Sequence, residues 1–241
     1  MSSRRTNREE KIYQSYLYPG TEVFKNKLEI RDPKLLEQAE LFYNMERMRQ
    51  PLPKTAQELS YKGFLALHHH LFQDLYTWAG KQRDYTTGRG PAPFAPPENI
   101  RIWMEEQLEK LKRENYLRGL LREEFARKIA PIVNEINAAH TFIEGNGRTQ
   151  RQWLRIVADQ AGHSLTFRME DRERWYEASR IGFEQVKHGP MIELIKDCLE
   201  REKEHEKGSE RQPLSSRLEE IRKSKENIVP KAPPKKNNLE R

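Results

Sequence analysis

The chain has 241 residues, 35% hydrophobic and 34% charged, with one cysteine and a formal net charge of +7. That composition fits one domain with a modest core and charged extensions, and it excludes an intramolecular disulfide and a membrane-spanning apolar run. Residues 201–241 hold 12 Lys and Arg against 8 Asp and Glu, a net of +4. The basic balance is therefore concentrated in the tail and gives no reason to expect specific nucleic-acid binding by the rest. The N-terminal MSSRRTNREE has no apolar core, so no Sec-type signal peptide is expected.

Residues 1–15 are polar and read as frayed. Residues 16–33 carry two turn signals, Pro19-Gly20 and Asp32-Pro33. From Lys34, apolar residues recur at Leu35, Leu36, Ala39, Phe42 and Met45, the period of an amphipathic helix, which Pro51 and Pro53 stop. A second helix is predicted over about 55–76, striped by Leu59, Phe64, Leu67, Leu71, Phe72 and Leu75. Residues 82–97 hold two glycines and four prolines and read as a surface loop or short hairpin. Further helices are predicted over about 98–117, 122–139 (with a kink at Pro131), 149–161, 170–182 and 190–204. No other segment alternates like a strand, so the fold class is all-α, a helical bundle with a small β-hairpin. After Lys207, Gly, Ser, Pro and Lys dominate, leaving only 216–225 able to form a helix. The expected organisation is an N-terminal extension over 1–54, a helical domain over 55–204, and a basic linker or disordered tail over 205–241.

The chemistry concentrates in one run between two helical patterns, His140-Thr141-Phe142-Ile143-Glu144-Gly145-Asn146-Gly147-Arg148-Thr149-Gln150-Arg151. His140 supplies an imidazole able to take a proton from an alcohol. Glu144 is a hard oxygen ligand suited to Mg²⁺. Gly145 and Gly147 leave room for backbone to approach phosphate, and Asn146 offers an amide donor between them. Arg148 and Arg151 lie three apart, on one face of the following helix, where planar forks suit phosphate oxygens. The helix N-terminus adds aligned N–H groups.

This run resembles the signature of the Fic (filamentation induced by cAMP) family, His-x-Phe-x-Asp/Glu-Gly-Asn-Gly-Arg-x-x-Arg, at every fixed position. Leu71 to Arg83, with Tyr76, Trp78, Ala79 and Gly80, is similar to the landmark before that family's flap, and Phe94-Ala95 to the flap's end. The likeness covers about residues 55–200. Tyr16 to Lys27 resembles the leading segment of Fic effectors that Bartonella species inject through type IV secretion. The resemblance implies a protein adenylyltransferase (AMPylator) that moves AMP from ATP to a Ser, Thr or Tyr hydroxyl of a target protein. It implies His140 as general base and Glu144 as the ligand of Mg²⁺ on the α- and β-phosphates. Gly145, Asn146 and Gly147 become the anion hole, Arg148 a phosphate ligand and Arg151 the γ-phosphate ligand. Phe142 packs inward and fixes the loop. The flap, including Arg83, Asp84, Tyr85, Phe94 and Ala95, holds an extended target segment by strand addition. The implied partner is a protein with an exposed hydroxyl, a small GTPase in some relatives, with no membrane partner. The implied location is the bacterial cytoplasm, with delivery into a host cell. A different phosphate-containing donor, or a catalytically quiet adaptor on the same fold, remains open.

Other features read as structural. His68, His69 and His70 are adjacent on a helix and point about 100° apart, so they do not converge on one ion; His68 is expected inward and the others partly exposed. Gly88-x-Gly90 lacks the Gly-Lys-Ser/Thr of a phosphate loop. Trp78, Trp103, Trp153 and Trp175 fall on helical patterns as core residues, and Cys198 has no paired histidine. Many Fic proteins are held off by a glutamate, from a Ser/Thr-x-x-x-Glu-Gly/Asn helix, that pairs with the second arginine, here Arg151. Thr6 to Glu10 has that spacing but Lys11 follows, and Ser216 to Glu220 is followed by Ile221. The resemblance then implies a small antitoxin-like inhibitory protein acting in trans.

Overall fold

The computed structural model describes residues 5–90 and 92–200. The basic tail, the helix expected over 216–225 and the boundary near 204 lie outside them. The described chain is mostly helical: α1 (Asn7–Tyr16), α2 (Pro33–Arg49), α3 (Tyr61–Phe72), a hairpin of β1 (Gly88–Arg89) and β2 (Ala92–Pro93), α4 (Ile100–Arg113), α5 (Arg122–Ala139), α6 (Asn146–Gln160), α7 (Asp171–Gln185) and α8 (Gly189–Glu200). The strands pair antiparallel, Gly88 with Pro93 and Arg89 with Ala92.

α5 is the hub. Phe125, Ala126, Ile129, Ala130, Val133, Ile136 and Ala139 are all buried, so it is apolar around most of its circumference, and it packs against α4, α6, α7 and α8. Each fully buried Ile or Val there contributes about 1.5–3 kcal/mol relative to exposure. Pro131 sits inside this helix without ending it. α3 packs on α2, α4 and α6, so the α5–α6 junction is held between α3 and the bundle. Beneath the junction runs an aromatic column. His68 stacks on Phe142 at 3.8 Å and on Phe72 at 4.6 Å, and Phe64 stacks on Phe142 at 5.3 Å.

Five sequence expectations need correction. The N-terminal segment is not frayed. Thr6 caps α1 by accepting from the Glu9 N–H while Glu9 returns to the Thr6 N–H, a capping box whose Thr-x-x-Glu spacing stood in the sequence. The predicted 55–76 helix is shorter. Residues 54–57 form a 3-10 turn, the Ser60 side chain caps α3 by accepting from the Gly63 N–H, and α3 ends at Phe72. The helix predicted to 117 stops at Arg113, since Asn115, Tyr116 and Leu117 take left-handed φ of 51–57°. On α2 the inward face is not the apolar stripe alone. Met45 is 37% exposed, whereas Asn44 is buried and donates to the Leu71 carbonyl. His70 is buried too, bonded through Nε2 to the Arg47 carbonyl at 2.8 Å.

Candidate active site

α5 ends at His140, which adopts a left-handed conformation (φ 43°, ψ 60°) and whose N–H donates to the Ile136 carbonyl. Six residues later α6 begins. The Asn146 side chain closes the loop, accepting from the Phe142 N–H at 2.9 Å and donating to the Phe142 carbonyl at 2.8 Å. The amide expected to face an anion is thus engaged with both backbone groups of Phe142 and holds the loop closed. Phe142 is fully buried in the aromatic column. His68 fixes the next residue, accepting from the Gly80 N–H at Nδ1 and donating from Nε2 to the Glu144 carbonyl at 3.0 Å. With one nitrogen accepting and one donating, it is neutral, and burial lowers its pKa to about 3.

His140 is half-buried. Its ring lies parallel to Phe94, with centroids 3.9 Å apart and planes 1° apart. Nδ1 is buried toward the Asn137 backbone without a hydrogen bond of normal geometry, which directs Nε2 outward. Burial first, then the charges of Arg83 and Arg89, lowers the pKa to about 3. The imidazole is therefore neutral at pH 7, the state a base requires.

The two motif glycines differ in kind. Gly145 has φ 83°, and a Cβ there would meet the Phe72 ring at 2.3 Å, so the chain itself demands glycine. Gly147 has no such φ, and a Cβ would make only ordinary contacts with Arg151 and Trp175, at 3.5 and 3.8 Å. Nothing within the chain therefore requires glycine at this position. The first turn of α6 directs its leading N–H groups back toward the loop. Arg148 donates from Nη2 to Glu40 (2.6 Å) and to Glu144 (3.2 Å), with its plane over Phe72. Arg151 lies over Trp175 and makes no hydrogen bond or ion pair among the described residues; burial first, then Arg148, Arg172 and Arg155, lowers its pKa to about 10. A guanidinium without a counter-ion among the described residues, on the helix that follows the loop, has the charge and donor geometry that suit an anion.

Glu144 lines a cleft of about 190 Å³ with Phe24, Leu36, Glu37 and Glu40. Its Oε1 accepts from the Gly145 N–H and Arg148, while Oε2 makes no hydrogen bond among the described residues. No three His, Cys, Asp or Glu converge among the described residues. A partly exposed carboxylate with one open oxygen fits Mg²⁺ that takes its remaining ligands from phosphate and water.

The flap departs most from expectation. Arg83 is fully buried and donates to the carbonyls of His140 (2.7 Å), Tyr85 (2.7 Å), Ala95 (2.5 Å) and Ala139 (3.2 Å). It nails the flap to the base-bearing end of α5 and is not available to a target. Tyr85 is buried against Tyr13 and Tyr16, Phe94 under its stack with His140, and the Ala95 N–H is bound to the Ala138 carbonyl. Asp84 alone of the five is exposed, and it accepts from the Tyr16 hydroxyl. At Thr86 both backbone groups are engaged by the N-terminal segment, the N–H by Glu9 and the carbonyl by Arg5.

The Fic/DOC family model matches residues 58–158. A probable protein adenylyltransferase of Sinorhizobium fredii is 36% identical over 162 residues, which is 67% of this chain and 83% of that protein. The chain belongs to the Fic/DOC family. The probable protein adenylyltransferase Fic of Escherichia coli is 32% identical over 173 residues, 69% of this chain and 83% of that one. Among solved structures, BepC of Bartonella tribocorum, a VirB-translocated effector with bound AMPPNP, superposes with a TM-score of 0.70 at 29% identity, over 79% of this chain and 98% of that one.

This Fic domain also uses residues outside its motif that sequence reading missed. Glu40 accepts from Arg148 and from the Tyr76 hydroxyl, Phe72 forms the arginine's floor, and Glu9 holds the flap. One signal was present: Leu36, Glu40 and Asn44 recur every four residues, so polar groups lie in the inward row of α2.

Proposed function

We propose that this chain is a protein adenylyltransferase that uses ATP with Mg²⁺ and acts on a hydroxyl of another protein. One observation carries the reading: a neutral His140, with Nε2 directed outward, precedes a helix N-terminus that also holds Arg148 and Arg151, the latter without an ion pair among the described residues. Nε2 takes the proton from the target hydroxyl. The oxygen forms a bond to the α-phosphorus, the bond from that phosphorus to the bridging oxygen of the β-phosphate breaks, and pyrophosphate leaves. The leading N–H groups of α6 and Arg148 balance the charge on the phosphates, and Arg151 receives the γ-phosphate. Glu144 would hold Mg²⁺, which supplies further charge neutralisation on the phosphates. The bound triphosphate opposes the field of Arg83 and Arg89 and raises the His140 pKa toward the working range.

The flap beyond Thr86 would present the target segment to His140. Delivery into a host cell is supported by the likeness to VirB-translocated effectors. The α1 carboxylates are turned to Thr86 and to Gln14, not to Arg151, which supports an inhibitory glutamate arriving from a separate protein. The test uses ATP labelled at the α-phosphate, Mg²⁺ and target-cell lysate. A discrete labelled protein is expected with the wild type, and a loss of about 10²–10⁴-fold with His140→Ala. Equal labelling by the variant would show that His140 is not the base.

A further inference from the structure

Glu40 lies on α2, outside the residues that the family model matches, yet its carboxylate is 12% exposed and stands on the motif's first arginine. One oxygen accepts from Arg148 Nη2 at 2.6 Å, and the other accepts from the Tyr76 hydroxyl. Tyr76 is itself buried and stacks on Trp78 at 4.2 Å, so the relay ends in the core. Two outcomes are physically open to a carboxylate in this place. It either competes with phosphate for Arg148 or holds Arg148 where phosphate will meet it.

Competition requires that Glu40 leave when a nucleotide arrives, and three contacts oppose that. Arg47 makes a bidentate pair with Asp74, both distances 2.6 Å; Asn44 donates to the Leu71 carbonyl; His70 bonds to the Arg47 carbonyl. α2 is therefore tied to α3 and to the turn after it, along the turns that follow Glu40. The donor count points the same way. Glu40 and Glu144 both take Nη2, which has two hydrogens, while Nη1 and Nε of Arg148 make no hydrogen bond among the described residues. One nitrogen is occupied and the other N–H groups remain for an anion. Burial works against the Arg148 charge, and the carboxylates of Glu40 and Glu144 outweigh it, leaving its pKa raised.

Resting on the adenylyltransferase reading above, we propose that Glu40 is a positioning residue for AMP transfer, holding Arg148 by one nitrogen so that the rest of its guanidinium meets the phosphates, with Tyr76 fixing Glu40 in turn. The charge effect and the positioning effect have opposite signs, which makes them separable. Removing a negative charge beside a triphosphate favours ATP binding, whereas releasing Arg148 slows transfer.

The experiment measures labelling rates against ATP concentration for the full chain, for Glu40→Gln, Tyr76→Phe and their double variant, each normalised to folded protein by thermal melting, with His140→Ala as the inactive reference. The expected result is a fall in kcat of about tenfold for Glu40→Gln with no rise in KM for ATP. A fall of about threefold is expected for Tyr76→Phe, and no further loss when it is added to Glu40→Gln. An unchanged or increased kcat in Glu40→Gln overturns the proposal, the increase being what a competing carboxylate gives. A loss that disappears on normalising to folded protein also overturns it, as does full additivity of the two substitutions. If the wild type labels no more than His140→Ala, the adenylyltransferase reading falls and this proposal with it; an active wild type matched by Glu40→Gln removes this proposal alone.

Discussion

The motif loop and the flap face each other across His140, and their side chains divide their labour differently. In the loop, the residues that carry chemical groups keep part of them unclaimed: Glu144 lines a cleft with one carboxylate oxygen open, and Arg151 makes no hydrogen bond or ion pair among the described residues. In the flap, the residues with the largest functional groups face inward. Arg83 binds four carbonyls, Tyr85 is buried under α1, and Phe94 covers the base. A two-stranded hairpin with two residues per strand has too little core to stand alone. Its side chains are consumed in attaching it, which leaves backbone and a few exposed groups for a partner.

Substitutions can break this contrast. The largest effect is expected from Arg83→Ala, which leaves four buried carbonyls without their donor. Stability falls on the order of 4 kcal/mol, read by urea unfolding. If the variant instead keeps full stability and loses only target labelling, Arg83 belongs to docking after all.

Within the loop, the glycines separate folding from ligand binding. Gly145→Ala meets both a left-handed φ and the Phe72 ring, and is expected to cost about 2–3 kcal/mol. Gly147→Ala is expected to change stability by less than about 1 kcal/mol, yet to weaken ATP binding about tenfold or more by calorimetry, because its methyl occupies space the chain leaves for phosphate. Equal ATP affinity in the two folded proteins would show that no phosphate approaches Gly147.

The smallest effect concerns acid. His68 and His140 are both held near a pKa of 3, against an ordinary 6.5. As pH falls below 6.5 the unfolded chain binds a proton at each and the native chain does not, so stability is present above 6.5 and is lost toward pH 3. The slope is up to about 1.4 kcal/mol per pH unit for each histidine. Urea midpoints at pH 7, 5.5 and 4.5 measure it, and His140→Ala is expected to remove its share of the slope. Glu9, lowered to about 2 chiefly by the Thr86 hydroxyl, adds a loss of the same sign below 4.5.

How much was legible follows from the range of the forces involved. The helical class, the α5 and α6 patterns and the motif's composition are local properties: a 3.6-residue period and a dozen adjacent residues contain them. The contacts that orient those residues are not local. Glu40 reaches Arg148 from α2, Glu9 reaches Thr86 from α1, and His68 holds the Glu144 carbonyl from α3. Polar side chains buried by such contacts look, in one dimension, like ordinary surface residues of an amphipathic helix.

By itself, the sequence determined that this is a helical chain with a nucleotide-handling loop between two helices, because each helix follows its own apolar period and the loop's chemistry is written in consecutive residues. Only the tertiary structure decided which groups are free to act. It spent Asn146 on Phe142, Arg83 on backbone and Phe94 on His140, and it left Arg151 without a counter-ion among the described residues. The physical reason is satisfaction of buried polar groups: a donor is available to a substrate only when no carbonyl or carboxylate of its own chain has claimed it, and that is settled by distances between segments far apart in sequence.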